Sequence, residues 1–119
     1  MRCDKPIPDN ARTFIIQEVI RNAEMIWKRI DEHHIDEGSY ACSTEYQDLL
    51  TMPMLRICEL VSEYRNVFEE IDESYPWADV AKMRSKIAHP YGGFDFGFVW
   101  DAVTVDLPEL VDVCRKGIS

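Results

Sequence analysis

The sequence predicts an all-α protein, a small bundle of four to six helices that forms one domain over residues 1–119. Apolar residues recur at the three- and four-residue spacing of amphipathic helices along most of the chain. No segment alternates between apolar and polar residues in the manner of a half-buried strand, and no internal repeat is present. A chain of 119 residues is long enough to bury a single core, so a one-domain helical bundle is expected.

The composition is that of a soluble globular protein, with 46% hydrophobic and 29% charged residues. No apolar run approaches the roughly 20 residues of a membrane span, and no signal peptide opens the chain. The four cysteines lack the paired short spacings of a zinc site, and free or buried thiols are expected at Cys3, Cys42, Cys58 and Cys114. These features predict a cytoplasmic protein that needs no metal or other cofactor and does not contact a membrane.

The chain carries 22 acidic and 13 basic residues, for a net charge of -9. Such a charge argues against a protein that holds long nucleic acid by neutralising many phosphates. It leaves room for phosphate chemistry at one local basic site, and it also suits a basic protein partner.

The first helix is predicted from Asn10 to about Glu32, after an N-terminal arm over residues 1–9. Asp9 or Asn10 can cap this helix, because a short polar side chain accepts a hydrogen bond from the first turn. The apolar stripe of the helix consists of Phe14, Ile15, Val19, Ile20, Ala23, Ile26, Trp27 and Ile30.

A polar connector over residues 31–38 follows, and it contains the adjacent histidines His33 and His34 flanked by carboxylates. Histidines and carboxylates bind metals, which makes a metal site one interpretation. Adjacent residues do not share a helical face, however, and no second ligand cluster accompanies them. A solvated loop is therefore the favoured interpretation.

The second helix is predicted to start with a capping box at Thr44 and to carry an apolar face to about residue 71. Pro53 interrupts this helix, so a kink or a restart near Thr51 is expected. The most hydrophobic part of the chain surrounds Pro53 and consists of Met52, Met54, Leu55, Ile57 and Cys58. We expect it in the central core, or at an interface that is apolar on two sides.

A third helix is predicted to start at residues 74–77, with proline in its first turn, and to end at His89. After a glycine pair another apolar helix is expected, with Phe94, Phe96, Phe98, Val99, Trp100 and Val103. Asp106, two residues before Pro108, is typical of a new N-cap, which predicts a final helix through Cys114.

One stretch differs from the rest of this acidic chain. Between Lys82 and Phe94 there is no carboxylate, and three cations, a histidine and a tyrosine lie close together in the sequence. We call the residues that carry these groups the basic island; they are Lys82, Arg84, Lys86, His89 and Tyr91. In a protein of net charge -9, the basic island is a candidate site for an anion.

A proline shapes the basic island. On a continued helix Arg84 and His89 would lie about 140° apart and could not bind one group together. Pro90 pushes the residue before it out of the α region, so His89 is expected at or just beyond the helix end. Tyr91, two residues further along an extended segment, is expected to point to the same side as His89. Its phenol is expected to reach solvent, since a glycine-flanked turn gives little to bury it. A ring packed against the helix end is the alternative. The cations stay in the last helical turns, where the helix dipole favours them.

The basic island allows two interpretations. The structural one is a helix C-terminus with favourable cations and a histidine hydrogen-bonded to a carbonyl. The functional one is metal-independent cleavage of a phosphodiester bond in RNA. Histidine can take a proton from a ribose 2′-hydroxyl or give one to the leaving 5′-oxygen, and arginine can hold the phosphate as charge develops. The reaction needs both an acid and a base, and the basic island has one histidine. A symmetric dimer that brings the basic islands of two copies together would supply both groups.

The run from Tyr75 to Tyr91 reads YPWADVAKMRSKIAHPY and is followed by Asp95, by VWD at residues 99–101 and by DLPEL at residues 106–110. These motifs resemble the HepT-like clade of HEPN domains, and the resemblance extends over nearly the whole chain. Members of that clade are toxins of the HEPN–minimal nucleotidyltransferase toxin–antitoxin pairs of bacteria and archaea. The resemblance implies a small α-helical homodimer with an Arg-x4-His-x-Tyr motif and metal-independent ribonuclease activity. It also implies a nucleotidyltransferase antitoxin that adenylylates the motif tyrosine.

Carried onto this sequence, the resemblance makes Arg84 and His89 the catalytic pair and Tyr91 the acceptor of the adenylyl group. Ser85 and Lys86 are supporting residues. The family commonly has Asn after the arginine, where this chain has the shorter Ser85. It often has a small residue such as Gly after the histidine, where this chain has Pro90, which stiffens the turn.

Two functions of different classes follow. The first is an RNA-cleaving toxin with a cleft at a homodimer interface, and Phe94, Phe96 and Trp100 are expected to line the approach. The second is a HEPN domain that binds a nucleotide or dimerises as the companion of its nucleotidyltransferase without cutting RNA. Ser85 and the acidic surface favour the second function, whereas the intact Arg-x4-His-x-Tyr motif favours the first.

Overall fold

The structure, a computed structural model, describes residues 8–118, with the side chain of Asp9 left aside. The helices are α1 Asp9–His33, α2 Glu37–Cys42, α3 Thr44–Glu63, α4 Arg65–Ile71, α5 Trp77–Ile87, α6 Phe96–Asp101 and α7 Leu107–Lys116. Two short strands, β1 Ala88–His89 and β2 Gly93–Phe94, follow α5. A π-helical segment, Ala102–Asp106, joins α6 to α7, so residues 96–116 form one continuous helical run. The predicted all-α bundle is confirmed.

Helix α3 lies at the centre of the bundle and packs against both α1 and α5, while α7 packs against α1 and α4. The predicted core around Pro53 is confirmed for its buried members, Met54, Leu55, Ile57 and Cys58. Met52 is 64% exposed and does not belong to it. Trp77 opens α5 and lies against Phe68 of α4, with ring centroids 5.2 Å apart. Burial of each such side chain contributes about 1.5–3 kcal/mol, so these contacts fix the position of α5 and of the basic island at its end.

Helix α1 has the predicted buried stripe, with two corrections. Phe14 is 62% exposed, because it lies about 160° around the helix from the buried Ile16. The N-cap position is Pro8, so Asn10 is not the N-cap residue, although Asn10 Oδ1 accepts a hydrogen bond from the Ala11 N–H at 2.9 Å within the first turn. The predicted arm over residues 1–9 falls mostly outside the described residues, and Asp9 already belongs to α1.

The polar connector is shorter than the predicted residues 31–38. Helix α1 continues to His33, and His34 ends it in the left-handed conformation with φ 52°. Helix α2 starts directly after Asp36, which accepts a hydrogen bond from the Ser39 N–H at 2.8 Å. Ser39 Oγ accepts one from the Asp36 N–H at 3.0 Å, which completes a capping box. Within residues 8–118, no group of three or more histidine, cysteine or carboxylate side chains is placed to hold a metal.

Helix α3 begins at Thr44 as predicted, but its cap differs from the prediction. Ser43 Oγ accepts the hydrogen bond from the Tyr46 N–H at 3.1 Å, so Ser43 is the N-cap. The helix runs through Pro53 without a restart. It ends at Tyr64, where φ -113° and ψ 40° turn the chain into α4. The single helix predicted to about residue 71 is therefore two helices.

A contact from α1 explains how α3 accommodates Pro53. Proline has no N–H, so the carbonyl of Leu49, four residues earlier, loses its helical partner. Arg29 Nη1 of α1 donates a hydrogen bond to that carbonyl at 2.7 Å. Thr51 Oγ1 donates to the Gln47 carbonyl at 2.6 Å in the same turn. The predicted restart near Thr51 is wrong because a neighbouring helix satisfies the backbone at this point.

We expect Arg29→Ala to lower the free energy of unfolding by about 1–3 kcal/mol, because it leaves a part-buried carbonyl without a partner. In a Pro53→Ala background the same change should cost less, since residue 53 then donates its own N–H to Leu49. Urea titrations of the four proteins measure this coupling. Lys28→Ala is the control, because Lys28 forms only an exposed pair with Glu32. Equal costs of Arg29→Ala in both backgrounds would contradict the account.

The last helix does not start at a new N-cap. Asp106 makes no side-chain cap, and the Leu107 N–H bonds to the carbonyl of Ala102, five residues back. This widened turn comes directly before Pro108, which has no N–H to offer a regular α-helical turn. The prediction of an N-cap at Asp106 is wrong because the π segment absorbs the proline without a break.

The predicted free thiols are confirmed for Cys42, Cys58 and Cys114, whereas Cys3 lies outside the described residues. Burial raises the pKa of both Cys58 and Cys114 to about 12, so both are protonated at neutral pH. For the part of the chain that the structure describes, no helix combines the length and the apolar character that a bilayer crossing requires.

Candidate active site

The basic island lies where α5 ends in a short hairpin. Ala88, the first residue after α5, has an extended backbone with φ -111° and ψ 105°, and its N–H bonds to the carbonyl of Arg84. Ala88 then pairs with Phe94, and His89 with Gly93, in antiparallel register. The prediction that His89 lies just beyond the helix end is confirmed. The hairpin itself was not predicted, because strands of two residues are too short to show alternation.

Tyr91 lies in the three-residue turn that closes the hairpin. The turn starts at Pro90 and ends before Gly93, whose φ of 75° is one that glycine adopts without steric cost. The Asp95 N–H bonds to the Ile87 carbonyl at 2.7 Å and fixes the returning chain against α5. Tyr91 has a relative exposure of 102%, which confirms that its phenol reaches solvent. The predicted extended segment is wrong, because proline and glycine turn the chain here.

Arg84 faces a groove that α3 helps to form. The groove has a volume of about 350 Å³ and is lined by Arg84 together with Glu59, Ser62 and Glu63. The three α3 residues lie on one helical face because they are spaced by three and four. Among residues 8–118, the Arg84 guanidinium forms no ion pair with either glutamate. The sequence around the basic island contains no carboxylate. In the folded protein, however, the packing of α3 on α5 brings the carboxylates of Glu59 and Glu63 beside Arg84.

Ser85 and Lys86 lie on the exposed side of the last turn of α5. Ser85 Oγ donates a hydrogen bond to the carbonyl of Lys82 at 2.9 Å, so its donor is used within the helix. Lys86 Nζ lies 5.9 Å from the centroid of the Phe98 ring, near the outer limit of a cation–π contact. The Lys86 ammonium therefore remains accessible to an anion.

The structure brings Arg84 and His89 to the same end of α5 without joining their side chains. The hydrogen bond from Ala88 to Arg84 holds the residue before His89 over the last helical turn. A Cβ placed on Gly92 would lie 3.6 Å from the His89 Cβ, so the returning turn passes close to one side of the histidine. Both side chains are exposed. They can bind a phosphate from outside, the guanidinium as an anion ligand and the imidazole as a proton donor or acceptor.

Comparison with known proteins gives this arrangement a family. The family model described as ribonuclease HepT-like matches residues 15–116, which is most of the chain. The chain belongs to the HepT-like ribonuclease family. The match covers every helix of the bundle except the first turns of α1, and it includes the whole basic island. No solved structure matches the chain.

Three relatives of this HepT-like chain come from bacteria and archaea. A candidate RNase of Caldanaerobacter subterraneus is 32% identical over 66 residues, which cover 52% of the chain and 59% of the relative. A probable ribonuclease HepT of Thermococcus cleftensis is 30% identical over 71 residues, 60% of the chain and 64% of the relative. A candidate RNase of Methanocaldococcus jannaschii is 26% identical over 97 residues, 74% of the chain and 80% of the relative. The chain thus spans less than two thirds of the first two relatives.

Sequence reasoning missed the acidic groove beside the HepT-like motif. Glu59, Ser62 and Glu63 were assigned no role, although their spacing places them on one polar face of an amphipathic helix. That spacing was the available signal, but it does not indicate which helix the face approaches. The contact with Arg84 depends on how α3 and α5 pack.

Proposed function

We propose that this chain is a metal-independent endoribonuclease and the toxin of a toxin–antitoxin pair, with Arg84 and His89 as its catalytic residues. The observation that carries the proposal is the end of α5, where Arg84 lies in the last helical turn, His89 lies in the strand that follows, and both side chains are exposed. Membership of the HepT-like ribonuclease family supports RNA as the substrate. Ser85 and Lys86 play supporting roles, and the accessible Lys86 ammonium adds positive charge for the phosphate.

The proposed reaction is a transesterification within RNA. A neutral histidine takes the proton of a ribose 2′-hydroxyl, and the resulting oxygen attacks the adjacent phosphorus. The bond from phosphorus to the 5′-oxygen breaks, and that oxygen receives a proton from a second, protonated histidine. Arg84 binds the non-bridging oxygens and stabilises the charge that develops on them. The products are a 2′,3′-cyclic phosphate and a 5′-hydroxyl, and these steps need no cofactor.

We further propose that a homodimer completes this site. Each chain offers one histidine in the basic island, whereas the reaction uses an acid and a base. Phe94, which pairs with the residue before His89, is 48% exposed and would line the approach to the cleft that the two copies form. A twofold axis next to the hairpin would set His89 of both copies across one cleft. One copy would then act as base while the other acts as acid.

A minimal nucleotidyltransferase is the proposed antitoxin, with Tyr91 as the residue that it adenylylates. A second candidate function is a HEPN domain that binds a nucleotide or dimerises without cutting RNA. Two observations favour this alternative: the hydroxyl of Ser85 is used within the helix, and Glu59 and Glu63 lie beside Arg84. Carboxylates at that position repel an RNA phosphate and so weaken its binding to Arg84.

We expect the purified chain to cleave RNA at an unchanged rate in EDTA, because every proton and charge in the proposed reaction is handled by side chains. The measurement is cleavage of an end-labelled RNA, followed by mass spectrometry of the fragment ends. Fragments with a 2′,3′-cyclic phosphate and a 5′-hydroxyl support the mechanism. An RNA whose 2′-hydroxyls are methylated is the control and should remain intact. Full loss of cleavage in EDTA, or fragments with a 5′-phosphate, would contradict the proposal.

A further inference from the structure

A second cleft opens next to the hairpin, between α2, α3 and α6. It has a volume of about 370 Å³, and the residues that decide its chemistry are Glu37, Tyr40, Gln47, Phe96, Trp100 and Asp101. We call it the α2–α6 cleft. Its volume is in the range of small-molecule sites, which are usually apolar with a few polar groups that orient the ligand. None of the residues of the basic island lines it.

The walls of the α2–α6 cleft are aromatic and held in place. The Trp100 ring lies against the Tyr40 ring, with centroids 5.1 Å apart and planes 32° apart. The Tyr40 hydroxyl donates a hydrogen bond to the carbonyl of Phe96 at 2.9 Å and so ties α2 to α6. Burial raises the pKa of Tyr40 to about 12, which keeps this donor protonated at neutral pH. A half-buried tryptophan fixed in this way presents a flat surface on which a planar ring can stack.

The polar groups of the cleft are hydrogen-bond acceptors. Gln47 Nε2 donates to the carbonyls of Tyr40 and Ala41, at 3.1 and 3.2 Å, which fixes the amide and leaves its Oε1 as an acceptor. Glu37 and Asp101 lie exposed at the rim, and neither forms an ion pair with any residue of the described part. Among the residues that the structure describes, no cation lines the cleft. This set repels a phosphate and suits a planar ring that carries N–H donors.

The α2–α6 cleft is connected to the hairpin by aromatic residues. Phe94 of β2 pairs with the residue before His89, and its ring centroid lies 5.9 Å from that of Phe96, which lines the cleft. Phe94 is 48% exposed. A single strand of RNA could therefore pass from the basic island over Phe94 to the cleft, because each base offers a flat face to an aromatic side chain.

We propose that the α2–α6 cleft binds a nucleobase of the RNA that flanks the cleaved phosphate, by stacking on Trp100 and by donating hydrogen bonds to Gln47 and the rim carboxylates. The inference rests on the proposed ribonuclease function. Charge divides the two sites, since the basic island takes the phosphate and the acidic cleft takes the base. Adenine, cytosine and guanine carry an exocyclic amino group with two N–H donors for these acceptors, whereas uracil offers a single ring N–H. The cleft therefore selects amino-bearing bases at one flanking position.

The test uses Gly97→Leu, which fills the cleft from α6 and leaves the basic island unchanged. A Cβ at Gly97 would lie 3.6 Å from its nearest neighbour, Asp95 Oδ1, so the backbone accepts a side chain there. The substrates are short RNAs that differ only at the bases next to the cleavage site. We expect KM for amino-bearing bases to rise roughly 5- to 100-fold, the range typical of a lost stacking contact, with kcat unchanged and the base preference abolished. Trp100→Leu should act in the same direction. Glu69→Leu, an exposed change on α4, is the control.

Binding is also measured without cleavage, by fluorescence anisotropy of labelled RNA with the His89→Ala protein and with its Gly97→Leu double variant. Weaker RNA binding by the double variant supports the assignment of the cleft as a base-binding site. If the parent chain also cuts no RNA, the ribonuclease proposal fails while the cleft assignment stands. Unchanged KM, base preference and RNA affinity in a folded Gly97→Leu protein overturn the cleft assignment and leave the ribonuclease proposal intact. Titration with free adenosine and cytidine distinguishes a base within RNA from a free nucleoside as the ligand of the cleft. Binding of a nucleoside without any effect of Gly97→Leu on RNA also overturns it, in favour of a free nucleoside ligand.

Discussion

We expect His89→Ala to slow RNA cleavage by about 10²–10⁴-fold, because it removes the group that transfers protons in the reaction. Arg84→Ala should slow cleavage by about 10²–10³-fold, the usual effect of losing a group that stabilises developing charge. Both side chains are exposed, so neither substitution should disturb the helical core. Cleavage rates on a labelled RNA measure the effect, and circular dichroism verifies the fold. Cleavage at the parental rate by either variant contradicts the assignment.

Lys82→Ala is the matched control for both variants. It removes one exposed cation of the basic island, but Lys82 lies about 160° around α5 from Arg84 and has no role in the proposed reaction. A small change in KM is expected from the lower positive charge, with kcat unaffected.

Expression of the parent and His89→Ala chains in bacteria extends the comparison: growth arrest that depends on His89 selects the ribonuclease over the binding-only domain. Light scattering at micromolar concentration tests the homodimer, and a strict monomer that still cleaves RNA would contradict a site shared between two copies.

Helices with a long apolar stripe could be predicted from the sequence because burial of that stripe decides their conformation. The buried face of α1 and the central position of α3 follow from this pattern. Helix ends were harder, since each depends on one side chain. The caps formed by Asp36 and Ser43 were missed, because several nearby residues could serve equally well in the sequence. Pro53 was expected to cause a kink or a restart, and the restart is wrong because the rule for proline considers only the segment that contains it. The residue that satisfies the unpaired Leu49 carbonyl, Arg29, lies on another helix.

In the candidate site too, features that depend on neighbouring residues could be predicted, and features that depend on packing between helices could not. The exit of His89 from the helix could be predicted, because Pro90 acts on the residue before it wherever the chain lies. The position of Glu59 and Glu63 beside Arg84 could not, because it depends on the packing of α3 against α5. The full exposure of Tyr91 also answers a question that the sequence left open. A ring packed against the helix end was possible there, and the hairpin turn instead holds it in solvent.

We expect adenylylation of Tyr91 to silence the site, with cleavage reduced to the level of Arg84→Ala. The phenol is fully exposed in the hairpin turn, which a second protein can reach. In the transfer, the Tyr91 oxygen attacks the α-phosphorus of ATP, pyrophosphate leaves, and the phenolic proton passes to the nucleotidyltransferase. We expect the attached phosphate to reach the cations at the end of α5, which can form charge-assisted hydrogen bonds with it. It would occupy Arg84 and crowd His89, and so compete directly with the RNA phosphate.

The other tyrosines provide the contrast for this prediction. Tyr40 is buried and the other three are half-buried, so a second protein cannot reach their hydroxyls as it can reach that of Tyr91. Burial also raises the pKa of Tyr40 and of Tyr75 to about 12. The chain is incubated with ATP, magnesium and its cognate nucleotidyltransferase, the adducts are mapped by mass spectrometry, and RNA cleavage is measured on the same samples. We expect one adenylyl group or more on Tyr91, none on Tyr91→Phe, and loss of cleavage in the parent chain alone. Adducts confined to Tyr40, Tyr46, Tyr64 or Tyr75, or a modified chain that still cleaves RNA at the unmodified rate, would refute the prediction.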